Sequence, residues 1–236
     1  MKQIPNMITC LNLFAGCMAC ILALRYDNYL GAFIFILLAA LFDFLDGFAA
    51  RMLKAYSKLG AQLDSLADVV SFGAAPGFII YSYLLRISEQ SFFTSSLAFL
   101  ALLLPIFAAI RLAKFNIDTR QTDSFLGLPV PASGLFWAAL IPALHQQEIA
   151  LNGNTLSFLI VGGVILFSLL MVSELPMFAL KFKSFAWKGN EWAFSFLLIC
   201  LILIIVMASF NLLLWAVSGT IIVYILLSIL KSLISK

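Results

Sequence analysis

Charged residues are scarce in this chain. Lys, Arg, Asp and Glu make up 11% of its 236 residues, where soluble domains carry about 25%. No polar stretch is long enough to build a separate soluble domain, so residues 1–236 read as a single integral membrane domain. Segments of alternating apolar and polar residues, the mark of a transmembrane β-barrel, are missing too. Histidine occurs once, as His145 at a predicted helix end, which suits an interfacial side chain. Cysteine is limited to positions 10, 17, 20 and 200, all in apolar runs. Cys17 and Cys20 form a C-x-x-C, but no second pair, histidine cluster or polar loop supports zinc or redox chemistry. All four are expected to be small buried apolar side chains. No internal repeat is visible, whereas transporters built on inverted repeats place interrupted segments in both halves.

What the chain has in abundance is apolar sequence: 64% hydrophobic residues and a mean hydropathy of +1.10. The fold class is therefore all-α, a polytopic bundle of about eight transmembrane helices. They are expected near 7–25, 29–52, 60–85, 92–114, 132–147, 155–173, 193–208 and 211–233. The last two together are too long for one crossing of about 20 residues, so they are divided at Asn211. Met1 to Leu24 has a signal-peptide outline. Only Lys2 precedes the apolar run, however, and Pro5, Asn6, Thr9 and Asn12 interrupt it, so a membrane helix is expected instead. With the N-terminus in the cytoplasm, twelve of the fourteen basic residues fall inside and only Arg25 and Arg86 outside. That bias obeys the positive-inside rule. It predicts a protein of the cytoplasmic membrane with both termini in the cytoplasm.

Against this background, residues 43–68 stand out. They read DFLDGFAARMLKAYSKLGAQLDSLAD and hold Asp43, Asp46, Asp64 and Asp68. An ionised carboxylate in hydrocarbon costs several kcal/mol unless it is paired or bound to a cation. At about 100° per helical residue, Asp43 and Asp46 lie about 60° apart and Asp64 and Asp68 about 40° apart. Each pair shares a helix face. Two such faces on adjacent antiparallel helices make an all-oxygen cage of the kind that hard divalent cations, Mg²⁺ or Mn²⁺, favour. The small residues Gly47, Ala50 and Gly60 allow close approach of a ligand or of another helix. Arg51 can offer a bidentate fork to a phosphate or serve as a cytoplasmic anchor.

The spacing D-x2-D-G-x2-A-R-x8-G-x3-D-x3-D resembles the signature of the CDP-alcohol phosphotransferase family, with all eight fixed positions matched. The resemblance implies a metal-dependent transferase, a homodimer with two divalent ions. Asp43, Asp46 and Asp64 would be metal ligands. Asp68 would be a further ligand or the general base that deprotonates the acceptor hydroxyl. It also implies that Gly47, Ala50, Arg51 and Gly60 meet the CDP moiety. The opening Ile4-Pro5-Asn6-Met7-Ile8-Thr9, followed by Asn12, is similar to the family's N-terminus, where Asn6 and Thr9 offer hydrogen bonds to the nucleotide.

Three further stretches resemble the serine-accepting branch of the family. They are Asp64 to Gly73 with Ala75-Pro76, Arg111 to Asn116, and Phe125 to Ala132 with Gly134. Lys114 stands where Arg is expected. This branch implies transfer of a phosphatidyl group from CDP-diacylglycerol, a membrane lipid, to L-serine with release of CMP. Arg111 and Lys114, on nearly one side of a helix end, could clamp the serine carboxylate or a lipid phosphate, or could be topology anchors. Asn116 adds a neutral donor and acceptor. The Gly-Leu-Pro-Val-Pro segment could be a lid or a rigid connector. The alternatives are a sibling using glycerol 3-phosphate or inositol phosphate, which should need more basic residues, and, from other classes, a cation transporter or a non-catalytic scaffold.

Overall fold

The structure is a computed structural model that describes residues 3–87, 92–118, 125–147, 151–178 and 190–234. Helices α1 (Gln3–Tyr26) and α2 (Tyr29–Met52) form a hairpin packed along its length. Asp27 turns the chain at φ +49°, and the Asn28 side chain caps α2 by accepting from the Gly31 N–H at 2.8 Å. The segment once open to reading as a signal peptide is thus a packed helix of the bundle.

Helix α3 (Lys58–Asp68) is capped by Ser57, whose hydroxyl accepts from the Gly60 N–H at 2.9 Å. It continues through a π-helical segment, Val69–Ala74, into α4 (Ala75–Ile87) as a 30-residue rod. At 1.5 Å per residue the rod is about 45 Å long, against a hydrocarbon core of about 30 Å. The rod is longer than one crossing needs, and its polar residues lie at the α3 end. The wide turn begins directly after Asp68 and is closed by an Ala75 N–H bond to the Val70 carbonyl. Pro76 follows, with no N–H to restore the tighter ladder. Two glycines let neighbours press against this turn. A Cβ on Gly73 would lie 3.0 Å from Ala108, and one on Gly134 would lie 2.7 Å from the Phe72 carbonyl oxygen.

The fourth crossing is built from α5 (Phe92–Leu97), a 3₁₀ segment (Ala98–Leu102) and α6 (Leu103–Ile117). The tightened segment lies just before Pro105, which cannot donate to an α-helical ladder. Helix α7 (Val130–Gln146) has 17 residues, about 25 Å of helix. It packs on α2, α4, the π-helical segment and α10, with Ala138, Ala139 and Ile141 fully buried. Protein rather than lipid surrounds it, so its length need not match the bilayer. Helices α8 (Gly153–Val172), α9 (Glu191–Ser209) and α10 (Leu213–Ile234) complete the bundle.

Among the described residues, seven helices, counting the α3–α4 rod as one, are long and apolar enough to cross a membrane. The eighth segment expected is the buried α7, which at 17 residues is not among the seven. The break at Asn211 is present: Asn211 has φ +58°, and the Leu212 N–H bonds back to the Met207 carbonyl at 2.8 Å. The outer surface is apolar, as at Ile34, Leu41 and Phe44 of α2 and Leu198, Leu201 and Ile205 of α9. Cys10 and Cys17 belong to this exposed surface, contrary to the expected burial; only Cys200 is buried. A bilayer covers a thiol as readily as a protein interior does. Lys2, Arg120, Lys181, Lys183, Lys188, Lys236 and Trp187 lie outside the described residues.

A two-residue pair, β1 (Phe125–Leu126) with β2 (Pro176–Met177), runs antiparallel with Leu126 opposite Pro176. Beside it Gly127 takes φ +74°. Its N–H bonds to the Leu175 carbonyl, and that of Leu128 to the Leu170 carbonyl, both at 2.9 Å. The Gly-Leu-Pro-Val-Pro segment is therefore a connector tied to the end of α8, with Leu128 and Val130 fully buried.

Candidate active site

Asp43 and Asp46 project from the last turns of α2, and Asp64 and Asp68 from α3. Asp43, Asp64 and Asp68 each bring a carboxylate oxygen to one point, all within 4.8 Å of one another. At that separation, with an effective dielectric constant of 20, each pair of charges repels by about 3–4 kcal/mol. Three such pairs rival the whole stability of a typical fold, about 5–15 kcal/mol. The trio is tenable only with protons or a cation between the carboxylates. Asp64 Oδ1 is buried and has no hydrogen-bond partner, a ligand atom left over by the protein. An all-oxygen trio with a spare oxygen fits a hard divalent ion.

Asp46 is held differently. It is buried, and Thr9 Oγ1 donates to its Oδ2 at 2.6 Å. It stays close enough to Asp43 and Asp64 for the charges to interact. Asp68 is 7% exposed and receives a long hydrogen bond, 3.4 Å, from Asn12 Nδ2. Asn12 is itself fully buried and braced by Ser71, whose hydroxyl donates to the Asn12 carbonyl at 3.0 Å. Gly16 allows this contact between α1 and the π-helical segment: a Cβ there would lie 2.8 Å from Ser71 Cα. Sequence reasoning placed Asn12 in the N-terminal pattern without a role. The available signal was its spacing of three from Thr9, which puts both on one face of α1.

Two cavities open among these helices, and the first is lined by two of the carboxylates. The first, about 210 Å³, lies between the start of α1, the end of α2 and the start of α3. Asn6, Thr9, Gly47, Ala50 and Gly60 line it together with Asp46 and Asp64. Five positions expected at the nucleotide thus meet in one space. Tyr56 and Ser57 join them without having been anticipated. Gly60 is needed for closeness, since a Cβ there would sit 2.9 Å from Asn6 Oδ1. Arg51 is exposed and outside this lining, with its guanidinium alongside Gly47.

The second cavity, about 390 Å³, lies at the ends of α6 and α8. Arg111 and Lys114 line it with Asp118, Leu126, Ser173 and Glu174. Arg111 is 7% exposed, stacks its guanidinium 5.4 Å from the Phe115 ring centre, and leaves Nε and Nη2 without hydrogen-bond partners. It also lies within electrostatic reach of Asp68. Asn116 does not line this cavity. It donates to Ser65 Oγ at 3.0 Å and pins α6 to α3.

The described bundle thus carries an acidic trio, a cleft of small residues lined by Asp46 and Asp64, and a second cavity with charges of both signs. Residues 2–172 match the model of the CDP-alcohol phosphatidyltransferase family, and the chain belongs to that family. Its relatives include proteins named CDP-diacylglycerol–serine O-phosphatidyltransferase. The one from Helicobacter pylori strain J99 is 37% identical over 204 residues, covering 86% of this chain and 81% of its own. The Bacillus subtilis protein is 38% identical over 164 residues, 70% of this chain and 89% of its own. The Methanocaldococcus jannaschii protein is 33% identical over 173 residues, 73% and 72% of the two chains.

Proposed function

We propose that the chain transfers the phosphatidyl group of CDP-diacylglycerol to the hydroxyl of L-serine, giving phosphatidylserine and CMP. The observation that carries this reading is the carboxylate trio, with Asp64 lining the cavity of small residues, in a family whose relatives at 33–38% identity bear the name of that reaction. The liponucleotide enters from the leaflet, with its cytidine and phosphates in the cavity of Asn6, Thr9, Gly47, Ala50 and Gly60 and with Arg51 at its rim. Serine enters the Arg111–Lys114 cavity from the cytoplasm.

Two divalent ions, Mg²⁺ or Mn²⁺, held by Asp43, Asp46 and Asp64, would supply Lewis-acid stabilisation of charge on the pyrophosphate. Asp68, the member of the trio within electrostatic reach of Arg111, takes the proton of the serine hydroxyl. The serine oxygen forms a bond to the phosphorus bearing the lipid. The bond from that phosphorus to the bridging oxygen breaks, and CMP leaves with the electron pair. Asn12 orients Asp68, and Thr9 orients Asp46. The excess of basic residues on one side supports a cytoplasmic site with both termini inside, and the family resemblance supports a homodimer.

The test is CMP release by the purified protein from CDP-diacylglycerol with a panel of acceptors. L-serine should support turnover. Ethanolamine, which lacks the carboxylate that Arg111 and Lys114 would hold, should fail. Turnover with glycerol 3-phosphate but not serine overturns the assignment. Arg111→Ala should weaken serine use more than CDP-diacylglycerol use; equal loss for both would assign Arg111 to the donor or the fold.

A further inference from the structure

The larger cavity carries charges of both signs. Arg111 and Lys114 stand on the last turns of α6, and Asp118 follows at its C-cap. Across from them, Ser173 and Glu174 follow the end of α8. The cavity volume of about 390 Å³ is within the range of small-molecule sites, about 300–1,000 Å³. Arg111, only 7% exposed, lines this space, and its Nε and Nη2 are buried without hydrogen-bond partners. A buried cation without its hydrogen bonds is costly, so the cavity is built to receive an anionic group there. Two carboxylates lining the same cavity make it a poor home for a dianion such as a phosphate monoester, since like charges brought together cost affinity.

We propose that this cavity is a zwitterion site: Arg111 and Lys114 take the acceptor's carboxylate, and Glu174 with Asp118 takes its ammonium. This deepens the serine-transfer reading and rests on it. An amino acid bound this way is held at both ends of its Cα, which leaves the hydroxymethyl group as the free arm. In the proposed reaction that arm carries the hydroxyl that Asp68 deprotonates. Glu174 and Asp118 thereby become specificity-determining residues that choose an amino acid over an acceptor with a hydroxyl and a carboxylate alone.

The experiment compares L-serine with 3-hydroxypropanoate, which keeps the hydroxyl and the carboxylate and lacks the ammonium. CMP release is followed with purified protein and CDP-diacylglycerol in mixed micelles. The wild type should prefer serine in kcat/KM by at least about a hundredfold, since a group built to bind an ammonium is left unpaired without it. Glu174→Gln and Asp118→Asn should each raise the KM for serine by about tenfold, the loss of one charge-assisted hydrogen bond. The preference over 3-hydroxypropanoate should shrink by the same factor, and the KM for CDP-diacylglycerol should move by less than about twofold. Glu174→Asp, which keeps the charge, should retain the preference. An unchanged preference in both Gln and Asn variants overturns the proposal while leaving serine transfer intact, as does a loss shared by the two acceptors or matched by Glu174→Asp. A wild type that releases no CMP with serine overturns the functional reading itself, and the zwitterion site with it.

Discussion

Thr9→Val is the sharpest perturbation of the site, because it changes shape little and removes one hydrogen bond. The Thr9 hydroxyl has one proton and two acceptors in range, the Pro5 carbonyl at 3.0 Å and Asp46 Oδ2 at 2.6 Å. The shorter bond, to the charged group, is the stronger. Asp46 is 6% exposed, so water cannot easily replace what is lost. A hydrogen bond to a buried charge is worth about 1.5–3 kcal/mol, and 1.4 kcal/mol is tenfold in a rate or binding constant. If the bond orients Asp46 for the phosphate-handling step, kcat/KM for CDP-diacylglycerol should fall by roughly 10- to 100-fold in Thr9→Val. Thr9→Ser keeps the hydroxyl and should retain most of the activity. The assay is initial-rate CMP release with serine saturating and the liponucleotide varied. A Thr9→Val enzyme within about twofold of wild type would refute the reasoning. So would a Thr9→Ser enzyme as impaired as Thr9→Val, which would make the methyl group, not the hydrogen bond, the part that matters.

Asp43→Asn, Asp64→Asn and Asp68→Asn should each cut turnover by about 10²–10⁴-fold. Only the first two, with Asp46→Asn, should markedly raise the Mg²⁺ or Mn²⁺ concentration for half-activation; full activity in any of the four removes that residue from the site. Gly127→Ala should destabilise the fold by about 2–4 kcal/mol, combining a left-handed backbone penalty with overpacking against the Met171 and Ser173 carbonyls. Thermal unfolding in detergent should show an earlier midpoint, and an unchanged midpoint would contradict the connector's geometry. In a background lacking the four native cysteines, Asn28→Cys and Asn152→Cys should react with an impermeant thiol reagent in intact cells, and Lys58→Cys should not. The reverse pattern would invert the topology.

The acidic motif and the apolar helices were legible in the sequence because both rest on short-range periodicity. Helical spacing alone puts Asp43 beside Asp46 and Asp64 beside Asp68, and apolar length alone marks the spans. The break at Asn211 was legible for a similar local reason, since no single helix crosses a bilayer with some 40 residues. What periodicity cannot say is which oxygen of which pair meets which. That Asp43, Asp64 and Asp68 converge while Asp46 turns to Thr9 depends on the rotation of α2 against α3 and on α1 lying in contact with both. The role of Asn12, the separation of Asn116 from Arg111, and the meeting of Glu174 with Arg111 across 63 positions of chain were likewise decided by packing. The burial of α7 was decided there too, since a 17-residue apolar helix reads the same whether lipid or protein surrounds it. Composition committed this chain to a membrane and local spacing committed it to carboxylate chemistry. Only the close approach of helices, allowed at Gly16, Gly60, Gly73 and Gly134, determined where each charge stands, because non-local contacts are a property of the assembled bundle and not of any one segment.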